Sequence, residues 1–148
     1  MTYQMKKHSV SLVSTILIFG FYSMFVFRAY QEKTMDSAEL FVFFATAIVV
    51  LIPISIVATI IIHILFNIIN RMVANEKEPA FADERDKLIE LKAMRNGHVI
   101  FIIGFVIAML SLVAGSTPTM MFVILYVSGF ISDAVGKIIS IYFYLKGI

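Results

Sequence analysis

Hydrophobic and polar positions alternate along this chain in long blocks. Four apolar runs are present, and one long polar segment, residues 70–97, separates the second run from the third; the apolar runs cover residues 10–27, 40–69, 99–114 and 120–144. A helix needs roughly 20 predominantly apolar residues to cross a bilayer. The pattern therefore predicts an all-α polytopic membrane protein, with four transmembrane helices in a single membrane domain that spans residues 1–148.

The composition agrees with this prediction. The 148 residues are 60% hydrophobic and 15% charged, which is typical of a membrane protein. The absence of cysteine excludes disulfides, thiolate metal sites and cysteine nucleophiles. The net charge is only +2 and the cations lie between apolar runs, so we expect no direct binding of nucleic acid.

The first apolar run, residues 10–27, is longer than the hydrophobic region of roughly 7 to 15 residues in a signal peptide. No A-x-A-like cleavage site follows it before Arg28. We therefore expect this run to be retained as the first transmembrane helix.

The distribution of lysine and arginine predicts the orientation. Nine of these residues lie on the side that holds both termini and the central polar segment, whereas Arg28 and Lys33 lie on the other side. Cytoplasmic loops carry the excess of positive charge. We therefore expect a multi-pass protein of the cell (cytoplasmic) membrane with both termini in the cytoplasm.

The central polar segment predicts a short cytoplasmic amphipathic helix between the second and third spans. Asp83 is a typical N-cap, Glu84 and Asp86 suit the first turn, and Asn96–Gly97 is typical of a helix stop. Two interpretations remain open. The helix either docks on the bundle or the membrane, or it is a solvated connector whose charges keep it out of lipid.

The fourth span contains an acid, Asp133, and a base, Lys137, one helical turn apart. An unpaired charge at depth costs on the order of 3 kcal/mol, so charges inside a span are functional candidates. The alternative is structural, because an ion pair near the interface also fixes the depth of a helix.

A polar face of the second span leads to a related hypothesis. His63 and Asn67 lie near its predicted cytoplasmic end and are candidates to meet Asp133 and Lys137, although a histidine at the interface can also be merely hydrated. His63 and His98 end neighbouring spans on one side, as in a bis-histidine haem site, but no other feature supports haem. We expect no cofactor and no bound metal.

Small residues form ridges on the third and fourth spans. Gly104 and Ala108 mark the third-span ridge, and the fourth-span ridge contains Ser128, Ser132 and Gly136. Such ridges allow close approach of helices in a membrane. They predict packing of the two spans on each other, with one ridge as the candidate surface of a homodimer.

The segment 83–90, D-E-R-D-K-L-I-E, is followed by Arg95, and the chain ends with an acid, a later cation, aromatics and a basic-Gly tail: Asp133, Lys137, Tyr142, Tyr144, Lys146 and Gly147. In these features the second half of the chain resembles a group of small four-span bacterial membrane proteins of unknown function. The resemblance implies an accessory role, because such proteins are often encoded beside small helix-turn-helix regulators.

Catalytic and nucleotide-binding motifs are missing from the sequence, so we expect a protein without enzymatic activity. The first hypothesis is an accessory or regulatory protein that presents its cytoplasmic helix to a cytoplasmic regulatory protein or to a second copy, through Asp83, Glu84, Arg85, Asp86, Glu90 and Arg95. The alternative is a small dimeric transporter or ion-coupled carrier that uses Asp133 and Lys137. Under either hypothesis the lipid bilayer surrounds the four spans.

Overall fold

A computed structural model describes residues 2–75 and 83–147 of the chain. These residues form four α-helices and no strand, which confirms the all-α prediction; the helices are α1 (Tyr3–Glu32), α2 (Ser37–Val73), α3 (Glu84–Val113) and α4 (Pro118–Lys146). Residues 76–82 of the predicted connector lie outside the described part of the chain.

Side chains at the helix starts explain where the helices begin. Asp36 and Glu39 form a capping box at the start of α2. The predicted N-cap at Asp83 is confirmed, because its carboxylate accepts a hydrogen bond of 2.7 Å from the backbone N–H of Glu84. These interactions satisfy amide groups that have no partner within the helix.

The predicted short helix does not exist as a separate element, because α3 continues without interruption from Glu84 to Val113. The expected stop at Asn96–Gly97 is wrong, and the reason is packing. Gly97 is buried against α4, where a Cβ atom would lie 3.0 Å from the carbonyl oxygen of Ser132. Glycine at this position therefore serves the close approach of two helices and not the end of one.

All four helices are long and apolar enough to cross a membrane. They contain 30, 37, 30 and 29 residues, so each extends beyond the apolar run that predicted it. Large apolar side chains cover the outer surface, and Phe25, for example, is 71% exposed. Such a surface is compatible with hydrocarbon as the solvent and therefore with a multi-pass membrane protein. The sidedness remains a prediction.

Helix α4 is the element on which the bundle is built. It packs against each of the other three helices and most extensively against α3, while α1 also packs on α2. In the part of the chain that the structure describes, the Cα atoms of α1 and α3 form no group of contacts within 8 Å. A gap consequently remains between α1 and α3, with α4 as its floor.

Candidate functional site

The gap between α1 and α3 forms a cleft of about 730 Å³ that receives side chains from all four helices. We call it the polar cleft. Its ionisable side chains include every histidine of the sequence, and they are Lys7, His8, His63, Asp86, Glu90, His98, Asp133, Lys137 and Tyr144.

Contacts at the mouth of the polar cleft join the ends of three helices. The ring of His8 on α1 stacks on Tyr144 of α4, with 5.7 Å between ring centroids. The Tyr144 hydroxyl in turn donates a hydrogen bond of 2.8 Å to Oδ1 of Asp86 on α3. This chain of contacts links α1 to α3 through α4 and defines the width of the mouth.

Thr15, Asp133 and Lys137 form a hydrogen-bonded triad at the floor. The Thr15 hydroxyl donates a bond of 3.0 Å to Oδ2 of Asp133. The Lys137 ammonium donates to the same carboxylate oxygen and to the Thr15 hydroxyl oxygen. The predicted proximity of Asp133 and Lys137 is thus present, and α1 contributes a third member that the sequence did not suggest.

Accessibility differs within the triad. The side chain of Lys137 is 19% exposed, whereas that of Asp133 is 51% exposed. Oδ1 of Asp133 makes no hydrogen bond to any described residue. The carboxylate of Asp133 is therefore more accessible than the side chain of Lys137.

Small side chains hold α3 against α4 and thereby form one wall of the polar cleft. The hydroxyl of Ser132 donates a bond of 2.8 Å to the carbonyl oxygen of Gly97. Further along the seam, a Cβ on Gly104 would overlap the side chain of Ser128, and one on Gly136 would lie 3.6 Å from the carbonyl oxygen of Ala93. The two predicted ridges therefore pack against each other.

His8 lies before the apolar run 10–27 and is sensitive to the charges around the mouth. Burial lowers the pKa of His8, Glu90 raises it, and Lys7, His63 and Lys137 lower it. The net pKa lies below the ordinary value of 6.5, so the neutral imidazole is favoured at neutral pH.

The predicted intramembrane polar residues divide between two places. His63 lines the same cleft as Asp133 and Lys137. Asn67 instead accepts a hydrogen bond from the hydroxyl of Tyr3, which ties α2 to the start of α1. The predicted cluster is thus brought together without Asn67.

The predicted partner-binding residues also divide. Asp86 and Glu90 line the polar cleft, while Asp83, Glu84, Arg85 and Arg95 are solvent-exposed. Although His63 and His98 both line the cleft, no group of three or more potential ligands among residues 2–75 and 83–147 is arranged to hold a metal ion.

Sequence reasoning missed the contribution of α1. Gln4, His8 and Ser11 line the cleft, and Thr15 belongs to the triad. These residues recur at intervals of three or four, which is the spacing of one helical face. This repeat is visible in the sequence, but it begins in the polar N-terminal residues and continues into the apolar run, so neither segment shows it in full.

Aromatic side chains pack α1 on α4 beyond the floor. Phe19 of α1 stacks on Tyr126 and Phe130 of α4, with centroid distances of 4.7 and 4.0 Å. The Tyr126 hydroxyl shares a hydrogen bond of 2.8 Å with Ser23. We call Phe19, Tyr126 and Phe130 the aromatic cluster. It lies between the triad and the opposite end of α1 and α4.

Comparison with models of protein families, with curated proteins and with solved structures gave no match.

Proposed function

We propose that this protein is a small membrane carrier, without enzymatic activity, whose polar cleft binds a small charged solute. The observation that supports the proposal is the convergence of ionisable side chains from all four helices on one cleft. Charged groups are costly within a membrane protein and usually line a pathway or pair with one another. Here Asp133 pairs with Lys137, and both residues line the cleft.

The volume of the polar cleft and the position of the aromatic cluster both support a carrier. A cleft of about 730 Å³ has the size of a small-molecule site. The aromatic cluster packs α1 on α4 beyond the floor, and we propose that passage to the opposite end requires a change in this packing. Because four helices seldom enclose a pathway alone, we propose that the carrier acts as a dimer.

A carrier must expose its binding site to the two sides of the membrane in turn, and this property can be tested without knowing the solute. The chain has no cysteine, so a single introduced cysteine reports on its own position. His98→Cys places the label on an exposed residue of the polar cleft. We expect a membrane-impermeant maleimide to label it from both sides, in intact cells and in inverted vesicles.

Two cysteine variants at the ends of the bundle serve as controls for sidedness. Glu84→Cys lies at the cleft end and Lys33→Cys at the opposite end, and each should react from one side only. The same pair checks the predicted orientation, since Glu84→Cys should react only from the cytoplasm. Labelling of His98→Cys from a single side would reject the carrier function.

A second function, the presentation of α3 to a protein partner, has a separate observation in its favour. Leu88 and Leu91 are 57% and 62% exposed on the same end of α3 that carries exposed Glu84 and Arg85. A mixed charged and apolar surface of this kind suits a protein interface. The partner would be a cytoplasmic regulatory protein, in line with the accessory role that the resemblance implies.

Reversal of the charges at Glu84 and Arg85, which do not line the polar cleft, tests this second function. If it is correct, affinity capture from gently solubilised membranes should recover a partner with the wild type and lose it with the double variant. Equal recovery with both proteins would count against it. Unchanged membrane insertion is the control.

A further inference from the structure

The triad at the floor of the polar cleft is already an ammonium-binding site. Its carboxylate and hydroxyl oxygens, from Asp133 and Thr15, both accept hydrogen bonds from the ammonium of Lys137. A charge-assisted bond of this type is about twice as strong as a neutral one. The site is therefore built for a primary ammonium group, and in this structure the chain itself supplies one.

The same carboxylate remains open to the cleft. Asp133 is 51% exposed, and its Oδ1 has no hydrogen-bond partner among the described residues. Because Asp133 lines the cleft, a second ammonium group in the cleft can reach this carboxylate. It would then compete with Lys137 for the oxygen atoms of Asp133 and Thr15.

The charges of the wider cleft favour a cation. Asp86, Glu90 and Asp133 provide three carboxylates, against the two ammonium groups of Lys7 and Lys137, and Glu90 is exposed near the mouth. Clefts lined by an excess of one charge concentrate ions of the opposite sign. Phe101 and Tyr144 add aromatic faces, which attract ammonium groups.

Resting on the carrier function proposed above, we infer that the solute is a small organic cation with a primary ammonium group, which binds Asp133 in place of Lys137. When the cleft is empty, the ammonium group of Lys137 takes the position of the solute's ammonium group and neutralises Asp133. This arrangement avoids an unpaired carboxylate at depth in either state. It also makes the release of the solute easier, because Lys137 competes for the same oxygen atoms.

The decisive experiment removes the ammonium group of Lys137 and measures whether a cationic ligand then binds more tightly. The full chain in lipid nanodiscs is titrated with n-butylammonium, whose four-carbon chain matches the stem of lysine, by calorimetry at neutral pH. We expect wild type to bind it, and Lys137→Ala to bind it at least tenfold more tightly. Asp133→Asn should weaken binding by a factor of roughly ten to a hundred, the range for a hydrogen bond to a charged group.

Each other outcome has a definite meaning. If wild type does not bind n-butylammonium, or if Asp133→Asn binds as tightly as wild type, the inference is overturned. Binding of n-butyrate in place of n-butylammonium overturns the cation class but leaves the carrier function intact. The labelling of His98→Cys uses no solute, so failure of the carrier function is detected separately.

Further variants protect the test against misfolding. Lys137→Ala leaves Asp133 without its partner, so Thr15→Val provides a milder change that removes only one oxygen acceptor. It should weaken the binding of n-butylammonium, and unchanged affinity would contradict the inference. Asp36→Asn is the matched control, because it makes the same substitution as Asp133→Asn at an exposed N-cap outside the cleft, where asparagine also caps well.

Discussion

The two ends of the bundle differ, although the same helices run through both. At one end α1 and α4 meet through Thr15, Asp133 and the stacked pair His8 and Tyr144, beside an open polar cleft. Toward the other end the same two helices meet through Phe19 and a pair of aromatic rings. The change from polar to aromatic contacts occurs within about one turn of α1, between residues 15 and 19.

This difference shows how a small helical protein can keep one end open. Stacked rings hold α1 directly on α4 by dispersion and shape, and such contacts leave no space for water. Contacts at the polar end reach across a gap, because Tyr144 stacks on His8 and donates a hydrogen bond to Asp86. The cleft is therefore maintained by long polar side chains, while the aromatic cluster supplies rigidity.

The largest effect on stability is expected from disrupting the packing of α3 on α4, which runs along both ends of the bundle. Gly104→Leu places a large side chain where even a Cβ would overlap Ser128, so α3 must move away from α4. Overpacking of this kind costs about 3 kcal/mol of unfolding free energy. Thermal unfolding in detergent measures the loss. Gly129→Leu is the matched control, since no atom lies within 4 Å of the Cβ position of Gly129, and equal losses in both variants would contradict the packing.

Removal of the Phe19 ring should make the two ends of the bundle more alike. Phe19→Ala deletes the stack on Tyr126 and Phe130 and costs about 2 kcal/mol, less than for a fully buried phenylalanine. It should also admit water, so a cysteine in place of Ser23 should react with an impermeant maleimide from the cleft side only when Phe19 is absent. Phe25→Ala, at a site 71% exposed, is the control for loss of a ring. Shielding of the cysteine in both backgrounds would show that the cluster is not the barrier.

A smaller effect is expected at the mouth of the polar cleft. Tyr144→Phe keeps the stack on His8 but removes the hydrogen bond to Asp86, which is worth about 1 kcal/mol. Hydrogen exchange at the first turns of α3 should become faster, because Asp86 loses its tie to α4. Tyr142→Phe removes a hydroxyl that bonds to no described residue, and it should leave exchange unchanged. The same acceleration in both variants would exclude a specific role for Asp86.

The smallest effect is expected from pH. Because the pKa of His8 in the folded protein lies below 6.5, the unfolded chain binds more protons as the pH falls through this value. His8 therefore lowers stability from about pH 6.5 down to its folded-state pKa, below which its contribution is constant. Denaturation measured between neutral and mildly acidic pH should show a weaker pH dependence in His8→Gln. The charged groups that act on His8 are retained in this variant, so an identical dependence in both proteins would contradict the shift.

Much of the fold follows from the hydrophobic pattern, since each apolar run corresponds to one helix, with only Ala114 beyond the end of α3, and Asp83 caps α3 as predicted. The end of the polar helix could not be located from local signals. Asn96–Gly97 has the composition of a helix stop, but its glycine has a helical backbone and a packing role. Ala93, Gly97, Gly104 and Ala108 are all buried in α3, and their spacing on one face was the available sign that the helix continues.

The candidate site was predictable in part. Asp133 and Lys137 stand one turn apart, so their pairing follows from helix geometry alone. Thr15 could not be assigned to them, because it lies 118 residues earlier in the chain and its partner depends on which helices pack together. In the sequence Tyr144 is one of the aromatics near the end of the chain, and only the packing of α3 on α4 brings it to Asp86.

The position of α4 also has a consequence for biosynthesis. Helix α4 is the last of the four to leave the ribosome, yet the other three all pack on it. The α1 and α2 pair can form early, whereas the floor of the polar cleft is absent until α4 has been synthesised. Until then, His8 and Thr15 lack the partners on α4 that they contact in the folded chain.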